Sequence, residues 1–443
     1  MFESLAQKLW GNFVSKDERK KFVRLALIFA FTIGIYWLLV PLKDVVFLTL
    51  VGKKFLPWTK IFSLVVLIPL LMVYERLVDR FARHRLFYVL CTIYALGACF
   101  FAYLLWLPEV GLANTQSSGW RALGWIFYAF VESFGSLMVA LFWSFASDTS
   151  TPDSAKRGYS IIAFGAQVGG VTGPLVLYPL SSYINPVFII VLAACGMSVL
   201  AGLIFRFMHV TPASELVGYT THQETAAYRR PAPRFFDGLK LITSQPYLVG
   251  VLVIVTFYEI VSTIIEFHMK TFAAEIFTDV AHMTHFFFMY AVFANGIALL
   301  SLLFGAGAIA RALGLKKTLL LLPTLIGCGI VALWIKPTLW VALGVLVIIK
   351  GLNYALNQPT KEQLYIPTSR DYKYKAKAWI DTFGSRAAKS AGSSVHMLHP
   401  VLQSTFVMVS SLVSLGLLGV WIVAALFVAR MHDQALKEDR LVC

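Results

Sequence analysis

The stretch Phe22–Leu50 reads FVRLALIFAFTIGIYWLLVPLKDVVFLTL, and no charged residue interrupts it from Leu25 to Leu42. A helix rises about 1.5 Å per residue, so about twenty such residues cross the hydrocarbon of a bilayer. The apolar run is continuous rather than alternating, which fits a membrane helix and excludes a strand of a transmembrane barrel. Further segments of this kind follow at about 57–82, 86–107, 120–147, 158–180, 184–208, 247–270, 284–311, 317–336, 338–360, 378–399 and 403–430, giving twelve candidate helices. The whole chain is 443 residues, 58% hydrophobic and 14% charged, and its mean hydropathy is +0.73. A soluble domain is about half apolar and about a quarter charged. One core cannot hide this much apolar surface. The composition excludes a soluble enzyme, a disordered chain, and a collagen-like or disulfide-stapled protein. The expected fold is an all-α polytopic membrane protein.

The first 21 residues, MFESLAQKLWGNFVSKDERKK, mix apolar and charged side chains and lack a small-residue cleavage site. They read as a retained cytoplasmic segment, with the following apolar run too long for a signal peptide. The longest polar stretch, 209–246, holds Arg229, Arg230, Pro231, Pro233 and Arg234. It divides the chain into six helices (22–208) and six helices (247–430), with a cytoplasmic tail at 431–443. Of 38 Lys and Arg, 28 lie at the termini and in the even-numbered loops, and seven lie in or beside the odd-numbered ones. Basic residues favour the cytoplasmic side, so both termini are placed there. The net charge of +15 is mostly this topological bias, and it calls for no nucleic-acid partner. The five cysteines are scattered without a C-x-x-C pair, and four of them lie in apolar stretches. They read as buried small hydrophobes rather than metal ligands. No cofactor is expected: there is no P-loop, no G-x-G-x-x-G, no H-E-x-x-H and no G-x-S-x-G.

Ionisable residues inside apolar spans are costly and point to a wet cavity, to pairing, or to both. Lys43 and Asp44 follow Pro41, where the helix either ends or kinks. Glu132 sits about ten residues from either end of WIFYAFVESFGSLMVALFWSF, so it must take up a proton or find a cation. Glu259, Glu266 and Lys270 in FYEIVSTIIEFHMK share one helical face, and Glu266–Lys270 reads either as a structural i,i+4 pair or as part of a site. His268 falls off that face and reads as a packing residue. WIDTFGSRAAKSAGSS carries Asp381, Arg386 and Lys389, with Asp381 and Lys389 eight apart on one face. Together with Lys350, these cations suggest an anionic ligand. Small residues around Lys389 permit close helix approach, and Gly165, Gly169, Gly170 and Gly173 read as helix packing rather than a phosphate cradle.

Two short segments, ERLVDRFARHR (Glu75–Arg85) and GAIARALGLKK (Gly307–Lys317), occupy equivalent places in the two halves. They resemble the cytoplasmic loop signature of major facilitator transporters, which implies a central cavity and alternating access. The stretch Thr360–Ser394, TKEQLYIPTSRDYKYKAKAWIDTFGSRAAKSAGSS, resembles the nucleotide transporter family, the ATP/ADP translocases of intracellular bacteria and plastids. Lys361, Glu362, Tyr365, Ile366, Pro367, Lys375, Lys377, Ala378, Ile380, Asp381, Lys389 and Ser390 fall in register with it. Lys43–Asp44, the Glu132 helix with Asp153, Ala155, Lys156 and Gly165, and Ser244, Pro246, Tyr247, Tyr258, Glu266 and Lys270 agree too. The lysine–aspartate match argues that the first helix runs on to about Leu50.

The resemblance implies a monomeric carrier in the bacterial inner membrane that moves nucleotides, with Lys43, Glu132, Glu266 and Lys389 as charged positions important for transport. Lysines and Arg386 would meet phosphate oxygens, and one of Phe142, Trp143 or Tyr258 would stack on the base. Glu132 and Glu259 are the candidates for proton coupling. The sequence departs from the family at Val40–Pro41, at Ser385–Arg386 and Ala388, and at Glu259, where a glycine is common. ATP/ADP exchange, import of another nucleotide, and proton-coupled symport of another organic anion all stay open.

Overall fold

The computed structural model describes residues 15–216, 235–303, 306–353, 357–365, 367–369, 376–438 and 442. The N-terminal fourteen residues, the middle of the 209–246 stretch with its Arg and Pro residues, Ile366, Lys375 and Cys443 lie outside them. Among the described residues every regular element is helical. The helices are α1 (Lys16–Leu50), α2 (Trp58–Arg80), α3 (Arg83–Trp106), α4 (Ala122–Asp148), α5 (Pro152–Leu177) and α6 (Pro186–Val210). They continue as α7 (Phe235–Ser244), α8 (Pro246–Ile276), α9 (Val280–Leu303), α10 (Ala306–Ile335), α11 (Leu339–Leu352) and α12 (Gln358–Leu364). Last come α13 (Ser385–Val395) and α14 (Phe406–Lys437). Among the described residues, ten stretches are long and apolar enough to cross a membrane.

Helix α1 starts where Ser15 accepts the Glu18 N–H at 2.9 Å, with Asp17 and Glu18 set against the positive end of the helix. Pro41 lies inside it, and the helix runs on to Leu50 before Gly52 (φ 99°) turns the chain. The alternative of a helix ending at Pro41 is therefore set aside. Asp279 caps α9 by accepting the His282 N–H at 3.1 Å, and these bonds hold its carboxyl below the usual range.

Departures from the expected boundaries have local causes. The basic segment 75–85 is nearly all helix: α2 runs through Arg80 and α3 restarts at Arg83, whose guanidinium meets Asp148 at 3.3 Å and Ser144 Oγ at 2.9 Å. The second basic segment is helical apart from Gly314, whose φ of 74° breaks α10. Residues 235–244, inside the expected linker, form a short helix of their own. A wide π turn, Ile380–Gly384, precedes α13.

The described residues fall into two compact units, one from Met1–Gly52, Val65–Arg230 and Phe277–Asn295, the other from Lys53–Leu64, Pro231–Ile276 and Gly296–Cys443. In the first unit α1 packs most closely on α5, and α3 packs on α6. The α1–α5 seam is built from backbone. A Cβ at Gly165 would lie 2.5 Å from the Ala26 carbonyl oxygen, one at Gly173 would lie 2.5 Å from that of Gly34, and one at Gly169 would overlap that of Ala30. Small residues at four-residue spacing let membrane helices approach this closely, so these glycines are packing residues. Gly169→Val is expected to prevent recovery of folded protein, because a backbone carbonyl cannot yield as a side chain can. Monodisperse yield in mild detergent measures it, and wild-type yield would refute the seam.

One end of this unit is tied by charge. Glu18 accepts from Arg157 Nη2 at 2.6 Å and from Ser154 Oγ at 2.7 Å, while buried Lys21 donates to the Thr149 and Glu215 carbonyls at 3.3 and 3.1 Å. Removing one partner of a buried pair strands the other, at a cost of about 3–5 kcal/mol. Glu18→Ala is therefore expected to lower the thermal unfolding midpoint sharply, whereas Asp17→Ala, at an exposed pair, should hardly move it.

In the second unit α8 packs on α13, α14 and α11, and α10 packs on α14. A Cβ at Gly392 would lie 2.6 Å from the Ile260 carbonyl oxygen, so α13 too approaches α8 through backbone. Many large apolar side chains are exposed, among them Val65, Leu96, Val176 and Val423. Such surfaces suit lipid. The same reason corrects the reading of the cysteines: Cys91 is buried, but Cys99, Cys195 and Cys328 are exposed. In a bilayer an apolar side chain need not be covered by protein.

Candidate functional site: charged clusters inside the spans

In the first unit the continuation of α1 past Pro41 buries Lys43 and Asp44, each 4% exposed. Lys43 forms an ion pair with Glu132 of α4, and its ammonium lies 4.7 Å from the Tyr128 ring centroid. Tyr36 and Asp44 are further electrostatic neighbours. The cation that Glu132 requires is thus supplied by α1. Phe142 is fully buried and stacked on Phe29 at 4.1 Å, so no ring face is open to a base. Trp143 packs edge-on against Phe29, Phe142 and Tyr159.

In the second unit Glu266 stands at the centre of a cationic group. Its carboxylate meets Lys270 Nζ at 2.8 Å on its own helix and Lys350 Nζ of α11 at 3.4 Å, and Lys60 is a third electrostatic partner. The Glu266–Lys270 pair is therefore part of a cluster rather than a lone helical pair. Two turns along α8, Glu259 accepts from Ser385 Oγ at 3.1 Å and pairs with Lys389 Nζ at 3.7 Å. Buried Lys361 has Asp381 and Glu259 as electrostatic neighbours, and Glu362 binds Lys377 at 2.6 Å. Arg386, which follows Ser385 on α13, is half-buried.

The π turn sets this alignment. Residues eight apart in an α-helix differ by about 80° in direction, whereas an inserted residue gives them the angle of seven apart, about 20°. Asp381 and Lys389 thereby share a face more closely than regular spacing would allow. Tyr258 is 3% exposed, with its ring against Trp421 at 6.3 Å. His268 is buried and bonded to Ser410 at 2.8 Å, in keeping with a packing role.

Lys60 and Lys361 were not expected among the site residues. Lys60 looked like a loop cation, although it lies three residues inside an apolar span. Lys361 stood in a motif without a role, and only its burial on α12 shows that it needs counter-charges. No group of His, Cys, Asp and Glu among the described residues has the arrangement of a metal site.

The clusters sit on a known transporter fold. The chain resembles a bacterial homologue of the iron transporter ferroportin, with a TM-score of 0.62 at 12% identity over 94% of this chain and all of that one. This likeness establishes a major-facilitator-like fold. In sequence it is 23% identical over 447 residues to ADP,ATP carrier protein 1 of Chlamydia muridarum, covering 89% of this chain and 84% of that protein. It is 22% identical to ADP,ATP carrier protein 1 of Rickettsia conorii, over 91% of this chain and 88% of that protein. A sequence profile described as TLC ATP/ADP transporter matches residues 1–335 and 328–434, so nearly every charged position described above lies within the match, and the chain belongs to that family.

Proposed function

We propose that the protein is a membrane carrier of nucleotides working by alternating access, with no chemical step of its own. The observation that carries this reading is the cluster at Glu266, where one carboxylate faces three lysines. Several cations gathered within a span suit an anion, and a nucleotide phosphate supplies charge and several acceptor oxygens at once. The reading assigns phosphate contacts to Lys43, Lys350, Lys361, Arg386 and Lys389. Glu132, Glu259, Glu266 and Asp381 hold these cations when no substrate is bound, and Asp44 and Lys270 complete the two clusters. Tyr258, next to Glu259 on α8, is assigned the contact to the base.

The carrier is placed in the bacterial inner membrane as a monomer with both termini cytoplasmic. The distribution of Lys and Arg supports that orientation.

Uptake of labelled ATP into proteoliposomes, preloaded with ADP or empty, tests the proposal. Uptake only into preloaded vesicles means exchange; uptake into empty ones means net import. Absence of uptake in both, beside an active control carrier, sinks ATP as substrate and favours symport of another organic anion. If Glu259 carries a coupled proton, Glu259→Gln should abolish the pH dependence of uptake while exchange persists. An unchanged pH profile removes Glu259 from coupling.

A further inference from the structure

Within the second unit lies a cavity of about 310 Å³ whose lining shares no residue with the Glu259 and Glu266 clusters. Its walls come from the 3-10 turn Lys53–Phe55 with Leu56 and Pro57, from Phe267 and Thr271 of α8, and from the turn carrying His396, His399 and Pro400. Ser393 ties two of these walls together by donating to the Pro57 carbonyl oxygen. None of the lining residues is acidic. Lys53 pairs with Glu275 at 2.8 Å, and Lys54 has no carboxylate partner among the described residues.

The decisive group is His396. It is 4% exposed, and neither ring nitrogen has a hydrogen-bond partner. Its ring is held by Phe267 at 5.3 Å, Phe406 at 4.8 Å and His268 at 4.8 Å, so it cannot turn away to water. A buried polar group left unpaired is costly, and an imidazole always carries at least one N–H to donate. Lys54, which has no carboxylate partner among the described residues, two histidines and Thr271 border one small space. Phosphate matches them, because it brings more than one charge and three acceptor oxygens to donors on separate walls.

We propose that this cavity is a second anion site, distinct from the transport clusters, that takes a phosphate-bearing group. Its size admits a diphosphate or a phosphodiester rather than a bare phosphate alone. On the orientation proposed above it opens at the outer end of the helices. Two sources share the chemistry: a free diphosphate, such as a nucleotide's, and the headgroup of an anionic lipid.

The test reads Lys54 itself. The full-length protein in phosphatidylcholine nanodiscs is acetylated with acetic anhydride, with and without sodium pyrophosphate, and peptide mass spectrometry gives the rate at each lysine. Protection follows 1 + [L]/Kd, so pyrophosphate at about four times its Kd should slow Lys54 about fivefold. Lys20, exposed in a surface pair of the first unit, should be unaffected. His396→Phe keeps the ring packing but removes both nitrogens, and it should abolish the protection. Should that variant fail to fold, the double variant His399→Phe with Thr271→Val carries the same expectation. If nanodiscs containing equal parts phosphatidylglycerol already slow Lys54, and His396→Phe relieves it, the occupant is the lipid headgroup. An unchanged Lys54 rate with both probes, equal slowing at Lys20, or full protection in the variants would overturn the site. None of these readouts depends on transport, so failure of the carrier proposal and failure of this one are separable.

Discussion

Lys389→Gln weakens binding of ATP and ADP by about ten- to a hundredfold and leaves adenosine binding nearly unchanged. The range follows from losing one charge-assisted hydrogen bond, about 1.5–3 kcal/mol. Lys389 is held by Glu259 at 3.7 Å, which is looser than the bonds elsewhere in the cluster. Glu259 keeps Ser385 when the lysine leaves, and Lys361 stands nearby to take over the charge. Lys389 is thus poised to exchange a carboxylate for a phosphate at small cost. Equilibrium binding of ATP, ADP and adenosine to the purified variant decides the matter. An equal loss across all three would place Lys389 in the framework of the helices rather than at the phosphates. Lys361→Gln run beside it shows which lysine bears the contact, since the two share Glu259.

The second large effect concerns the other unit. Glu132→Gln leaves Lys43, 4% exposed, without its ion-pair partner, and breaking such a pair costs about 3–5 kcal/mol. Asp44 and the Tyr128 ring recover only part of that. A large drop in the unfolding midpoint is expected. Adding Lys43→Met to Glu132→Gln should restore most of the stability, because replacing a buried pair by apolar groups is often close to neutral. Transport should not return, because the phosphate contact assigned to Lys43 is gone. A double variant as unstable as the single one would mean that Glu132 serves some group other than Lys43. A double variant that still transports would remove Lys43 from the substrate.

The membrane spans were legible because a bilayer writes its thickness directly into the chain. Most helix ends lie within a few residues of where the apolar runs stop. The end of α1 was not legible from Pro41 alone, since a proline removes one hydrogen bond whether the helix kinks or stops. In the fold the helix carries on past Pro41 to Leu50. Charges buried in apolar runs announced Lys43, Glu132, Glu259 and Glu266, but not their partners, because pairing joins residues far apart in sequence. Lys43 and Glu132 are 89 positions apart, and Ser385 and Glu259 are 126. Lys60 and Lys361 escaped notice because each sits near the end of an apolar run, where a lysine ordinarily reaches water. The π turn left no pattern at all: Ile380–Gly384 reads as ordinary helix, and its widening depends on what α13 must face.

The seam between α1 and α5 bears on motion. Carbonyl oxygens of Ala26, Ala30 and Gly34 lie where the side chains of Gly165, Gly169 and Gly173 would otherwise stand. Two helices meshed through their main chains have no rotamers to rearrange, so they cannot slide past one another by small steps. They behave as a single strut. Whatever swing carries substrate across the membrane, this strut must take part in it whole. Pro41, which removes one hydrogen bond from α1, lies beyond Gly34 of the seam and just before Lys43 and Asp44. Bending there would tilt the lysine while the shaft below stays still.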